Sequence, residues 1–383
     1  MATAGIAPVC LTLEDVSAGA GEATHSLLAA MLRANDQISD FIFSPGRPPQ
    51  VEVHGNLVPV QAPGLGPLTA DDTRRIASDL IGNNKQAINM LREHGSCDIS
   101  YGLSGVARFR VNVFIQRGSC AVVMRVIPTS IPEFEALGLP AQLKAVAHLR
   151  DGIVLVTGPR GSGKSSTLAA LLDCINEQQV CHIITVEDPI EFLHSHKRAT
   201  VHQRELYTDT PSFPMALRAA LRQAPKVILI SELRDRETIE MALDAAETGH
   251  VVLTALNTID AGKTLDRLVG SFSSSDHKSI RARLAKTLRY SVAQRLLPRA
   301  DGRGRALAME IFKVTSRSAS FVECADETGQ SLLEAIRTGH ADGMQSFDAE
   351  IEKLVRAGVV DSETALAYAS DSAELRKKLS KKQ

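Results

Sequence analysis

The 383-residue chain contains no tryptophan, and aromatic residues make up only 4% of it. Single-stranded nucleic acid is gripped by stacking rings set in basic grooves. With a formal net charge of −1, this scarcity argues against a nucleic-acid partner and against a general attraction to anionic surfaces. The six cysteines (Cys10, Cys97, Cys120, Cys174, Cys181 and Cys324) are scattered, and no two form C-x-x-C. Neither a zinc centre nor a disulfide framework is indicated, and reduced thiols in the cytosol are the simplest account. No apolar run approaches the ~18 residues of a membrane span. Residues 1–20 lack the basic start and apolar stretch of a secretory signal. What remains is 44% hydrophobic and 23% charged, an ordinary globular balance with room for two or three domains.

Residues 1–22, rich in Ala, Gly and Ser, read as a loose tail. Residues 23–127 read as an α+β module with an antiparallel sheet. A helix starts over Ser26–Leu32, and a hairpin joins Val51–Val53 to Leu57–Val60 through His54-Gly55-Asn56. Helices follow at 69–81 and 86–94, then strands at Asp98–Gly102, Phe109–Gln116 and Ala121–Ile127. Pro128, Pro132 and Pro140 mark 128–140 as a linker. From 141 to 383, helix and strand alternate, which predicts a doubly wound parallel sheet. Its strands are Ile153–Thr157, His182–Val186, Val227–Ser231 and Val251–Ala255. From about Lys278 the pattern predicts helix, with Leu284, Leu288, Val292 and Leu296 in step. The basic run Arg376–Lys382 reads as a solvated helix end.

Gly158-Pro159-Arg160-Gly161-Ser162-Gly163-Lys164-Ser165, followed by Ser166, fits G-x-x-x-x-G-K-[ST]. An apolar run precedes it, and a helical pattern with Leu168, Leu171, Leu172 and Ile175 on one face follows. Strand, glycine loop and helix bring backbone N–H groups and a helix N-terminus to phosphate oxygens. Lys164 is placed for the β- and γ-phosphates of ATP, and the Ser165 hydroxyl for Mg²⁺.

Hydrolysis also needs a carboxylate near the γ-phosphate and a positive charge for the transition state. Glu232 ends a buried apolar strand, where ligands of open α/β sheets bind. It could orient or deprotonate the attacking water, or hold Mg²⁺ through water. Glu187, Asp188 and Glu191 crowd another strand end and call for a cation or basic partner. His250 either belongs to this site or caps the helix ending near Thr248.

These residues closely resemble the hexameric type II/type IV secretion ATPases, in particular the PilT/PilU type IV pilus retraction branch. The likeness runs from about Ser39 to Leu379. It is carried by 108–118, the phosphate loop, 185–192, His202-Gln203-Arg204-Glu205, 216–223, Glu232-Leu233-Arg234-Asp235, 245–250 and 343–348. The resemblance implies a PAS-like N-terminal domain, a RecA-like P-loop motor domain and a helical C-terminal region. It implies a homo-hexameric ring with ATP at domain and subunit interfaces. By this resemblance Glu232 is the catalytic glutamate, Glu187, Asp188 and Glu191 form an acidic box, and His250 belongs to a histidine box. Arg110 and Arg125 match arginine fingers, although taken alone they read as solvent-facing strand residues. A platform protein at the cytoplasmic face of the inner membrane, at the pilus base, is the implied partner, with a paralogous retraction ATPase as a further candidate.

The chain departs from the family pattern at four places. Asn257 stands where a second box histidine is usual, and Ser231 where glycine precedes the glutamate. Ala224 and Lys226 occupy positions where acids are common, and 316–330 lacks the helix associated with retraction. Two alternatives to a retraction motor therefore stay open: a weakly active or inactive paralogue scaffolding a mixed ring, and an assembly or secretion ATPase. The assembly type usually carries paired C-x-x-C elements, which this sequence lacks.

Overall fold

The computed structural model describes residues 9–10, 23–35, 37–54, 56–62, 65–103, 106–128, 130–324 and 332–380. The chain divides into two compact units, Met1–Thr129 and Ser130–Gln383.

The first unit runs β1 (Val9–Cys10), α1 (Ala23–Ala34), β2 (Ile38–Phe43), β3 (Gln50–Val53), β4 (Asn56–Gln61), α2 (Ala70–Ile81), α3 (Lys85–His94), β5 (Ser96–Leu103), β6 (Ala107–Gln116) and β7 (Ser119–Ile127). Its seven-stranded sheet has the order β1-β4-β3-β2-β7-β6-β5. All neighbours are antiparallel except the β1–β4 pair. The stretch expected as a loose tail thus supplies an edge strand at Val9–Cys10; the rest of 1–22 lies outside the described residues. The hairpin forms as predicted, with Val53 opposite Asn56, and Gly55 lies outside the described residues. Alternation sets the core: Phe41, Phe109, Val111 and Met124 point inward to meet Leu28 and Met31 of α1 and Ile76 and Leu80 of α2. A capping box between Thr69 and Asp72 starts α2.

The second unit opens with a 3-10 segment, Ala141–His148. It continues through β8 (Gly152–Thr157), α4 (Lys164–Gln178), β9 (His182–Glu187), β10 (Thr200–Glu205), α5 (Phe213–Ala220), β11 (Val227–Ile230), α6 (Arg236–Glu247), β12 (Val251–Leu256), α7 (Ala261–Val269) and α8 (His277–Thr287). It ends with β13 (Leu288–Pro298), β14 (Arg305–Lys313), α9 (Ala319–Glu323), α10 (Leu332–Thr338), α11 (Phe347–Arg356), α12 (Ser362–Tyr368) and α13 (Ser372–Ser380). The sheet order is β10-β9-β11-β12-β8-β13-β14, parallel throughout except for β13 with β14. Every residue of β8, β11 and β12 is buried, as expected for strands covered on both faces. One face packs on α5–α8 and the other on α4 and the 3-10 segment.

Two expectations are corrected. The segment taken as a linker inserts Phe134 and Leu139 into the core of the second unit. The predicted helix from about Lys278 stops at Thr287, and Leu288–Pro298 and Arg305–Lys313 form a strand pair. Residues four apart share a face in a strand as well as in a helix, so Val292 and Leu296 satisfied both periods. Helices α11–α13 then pack Phe347, Ile351 and Leu375 against Ala293 and Leu297 of β13 and Ala308 of β14.

Candidate nucleotide-binding site

The phosphate loop follows β8, an interior strand between β12 and β13, at the carboxyl edge where an open parallel sheet binds ligands. Gly158, at φ +148°, has no room for a side chain: a Cβ would lie 2.4 Å from Ser162 Oγ and 2.7 Å from the Gln294 carbonyl oxygen. Gly163, at φ +90°, caps α4 without a side-chain bond, so the first N–H groups of the helix stay open toward the loop. Ser162 is buried, Pro159, Arg160 and Gly161 are exposed, and Ser165 and Ser166 are half-buried at the helix start. Lys164 donates from Nζ to the carbonyls of Gly158 and Pro159, both at 2.9 Å. Burial lowers its pKa, and the negative charges of Glu232 and Glu191 oppose that shift.

Glu232 lies just past β11, the strand between β9 and β12. Its Oε1 accepts from Asn257 Nδ2 at 2.6 Å and its Oε2 from Arg234 Nε at 3.2 Å. Arg234 Nη1 donates to Asp188 Oδ2 at 2.7 Å. One guanidinium therefore joins the carboxylates that follow two neighbouring strands. Glu187, the last residue of β9, is buried, and burial pushes its carboxyl up to about 7. Donation to Oε1 from Thr185 Oγ1 at 2.6 Å and Gln203 Nε2 at 3.0 Å opposes the shift. Glu191 is exposed on the irregular segment after β9.

Lys164, Ser165, Glu187, Asp188, Glu191 and Glu232 thus belong to loops and ends on one edge of the sheet. His250 does not. It precedes β12, so the six residues of that strand, at about 3.3 Å each, separate it from Asn257. Its Nδ1 bonds the Ala245 carbonyl oxygen at 2.9 Å and Thr248 Oγ1 at 3.2 Å, which is the helix-cap role. Arg110 and Arg125 stand on the first unit. They are direct cross-strand partners on β6 and β7, both exposed, and Arg125 Nε donates to Asp40 Oδ1 at 2.9 Å.

Among the described residues no group of three or more His, Cys, Asp or Glu side chains could hold a metal ion. The donors Ser165, Asp188 and Glu232 are nonetheless hard oxygens. They suit Mg²⁺, which keeps waters and shares phosphate oxygens in place of an all-protein cage. No local sequence pattern marks the contacts of Arg234, Gln203 or Gln294. Asn176 carried a signal, a polar residue on the buried face of α4, four beyond Leu172.

Residues 92–378 match the family model described as type II/IV secretion system protein. The chain belongs to this family. It is 41% identical over 332 residues to the Pseudomonas aeruginosa protein named type IV pilus retractation ATPase PilT, covering 87% of this chain and 94% of that one. It is 39% identical to a Neisseria gonorrhoeae twitching motility protein over 85% of each chain. With the P. aeruginosa type IV pilus ATPase PilU it shares 37% identity over 88% of this chain and 87% of that one. A crystal structure of the pilus retraction motor PilT with bound ADP superposes with a TM-score of 0.78 at 39% identity. That match covers 89% of this chain and 95% of the other. The α/β motor fold with a preceding N-terminal domain is shared with these proteins.

Proposed function

We propose that this chain is an ATP-hydrolysing motor subunit that powers type IV pilus retraction. The observation that carries the reading is the joint placement of the phosphate loop, Glu232 and the 187–191 carboxylates on one sheet edge, in a chain of this family. The loop N–H groups and Lys164 hold the phosphates, with Lys164 exchanging its two carbonyl contacts for phosphate oxygens. Bound Mg²⁺ supplies charge neutralisation at the phosphates, with Ser165, Asp188 and Glu232 as the residues that hold it. Glu232 orients the attacking water and accepts its proton. Arg110 and Arg125 serve as arginine fingers, whose planar charge clamps phosphate oxygens.

The working form is a homo-hexamer acting at the cytoplasmic face of the inner membrane on a pilus platform protein. Among the described residues no helix is long and apolar enough to cross a membrane. A second reading, a slow subunit that works in a mixed ring beside a paralogous ATPase, is favoured by one observation. Both oxygens of Glu232 are engaged, by Asn257 and Arg234. Phosphate release from Mg-ATP by the purified chain and by Lys164→Ala tests the motor reading: turnover in the first and none in the second is expected. Equal rates would overturn it. Surface pili counted after deletion separate retraction, which leaves excess pili, from assembly, which leaves none.

A further inference from the structure

The segment between β9 and β10, residues 188–199, has neither helix nor strand. It carries Asp188 and Glu191. Its backbone groups still need partners, and side chains of its neighbours supply several of them. Glu205 and Gln203 lie two apart, on one face of the edge strand β10. Ile190 N donates to Glu205 Oε2 at 3.2 Å, and His194 N to Gln203 Oε1 at 2.8 Å. Gln203 Nε2 donates to the Phe192 carbonyl at 2.9 Å and to Glu187 Oε1 at 3.0 Å. The far end is held from α4, the helix that begins at Lys164. There Asn176 Nδ2 donates to the Ser195 carbonyl at 2.8 Å, and Asn176 Oδ1 accepts from Lys197 N at 3.2 Å.

Gln203 is the junction of this frame. Its carbonyl and amino groups tie the backbone at 192 and 194 to the buried carboxylate that ends β9. We propose that Gln203 is a positioning residue for ATP hydrolysis, holding the Glu187 carboxylate and the segment with Asp188 and Glu191 in one arrangement. The proposal rests on the motor reading above. The amide is specific to the task. A glutamate there would keep the acceptor for His194 N, lose both donations and set a carboxylate against Glu187. A methionine would keep the length and lose all three bonds.

The test uses the full chain as wild type, Gln203→Glu, Gln203→Met, Glu187→Gln and the double variant E187Q/Q203E. Turnover, ADP affinity and melting temperature are measured for each. Both single Gln203 variants are expected to lower kcat by about tenfold or more, with ADP affinity and melting temperature near wild type. In the Glu187→Gln background, Gln203→Glu is expected to cost little more, because the swapped pair still offers one donor and one acceptor. Full turnover in both single variants overturns the inference. So does the same loss in both Glu187 backgrounds, or a fall in kcat that only tracks a fall in melting temperature. A wild type without turnover overturns the motor reading and this inference with it, whereas an active wild type with indifferent Gln203 variants overturns this inference alone.

Discussion

Asn257 Nδ2 donates to Glu232 Oε1 at 2.6 Å, a bond that joins the residue after β12 to the carboxylate after the neighbouring strand β11. Arg234 holds the other oxygen. The carboxylate proposed to handle the attacking water is therefore oriented by one neutral and one charged donor. An asparagine amide donates but cannot become cationic.

Asn257→His is expected to raise steady-state turnover at saturating Mg-ATP. The gain should be modest, because a hydrogen bond to a charged group is worth about 1.5–3 kcal/mol and the amide already supplies part of it. An unchanged or lower rate would mean that the site is adapted to the amide.

Glu232→Gln should keep nucleotide binding and lose hydrolysis. The substitution preserves shape but removes the proton acceptor. ADP binding and phosphate release measured on the same preparation check this, and a parallel loss of both would leave Glu232 a structural or metal-holding role without the proton-accepting one.

Arg110 and Arg125 should separate in stability while agreeing in activity. Alanine at either is expected to cut turnover by about 10³-fold or more, the scale of an arginine finger. Arg110→Ala relieves a like-charge cross-strand pair and should leave the melting temperature unchanged or slightly higher. Arg125→Ala deprives the buried Asp40 of its ion pair and should destabilise the first unit by about 1–3 kcal/mol. Normal turnover in both variants would remove the finger role.

Glu310 of β14 is buried, and burial pushes its carboxyl up to about 7, against the pull of the Ala261 N–H bond and of Arg295; Asp260 and Asp348 push it further up. Its folded-state pKa lies above the unfolded value, so the folded state binds the extra proton. Stability from this group is full below about pH 4.5 and is lost as pH rises through about 7. Glu310→Gln keeps an acceptor for Ala261 N and removes the titration. Relative to wild type, the variant should gain on the order of 1–3 kcal/mol between pH 5 and pH 8, read by denaturant unfolding. A pH-independent difference would contradict the assignment.

The sequence made the phosphate loop and its flanking elements legible, because the motif and both periodicities agree there. Strands β8, β9, β11 and β12 were legible as short apolar runs buried on both faces. Strand β10 was not, since Thr200-Val201-His202-Gln203-Arg204-Glu205 is an edge strand with mostly polar residues. Nor was β13, whose four-residue spacing fits helix and strand alike. The Arg234–Asp188 and Asn257–Glu232 contacts depend on which strands become neighbours, and no local pattern encodes that. His250 illustrates the reverse case: its cap position beside a helix end could be read locally and is what the fold contains.

Strand β8 carries the loop that receives phosphate, and it is the first strand of its unit to be synthesised. Its partners arrive late: Gly152 pairs with Val251, and Ile153 with Leu288. Parallel pairing across such separations is slow, because loop closure must be met before contacts reward it. Until β12 and β13 emerge from the ribosome, the apolar run Ile153–Val156 has no neighbour on either side. The sheet order therefore leaves the nascent chain with an unpaired apolar strand until Val251–Leu256 has been made, and slower, chaperone-assisted folding during production is the expected consequence of that arrangement.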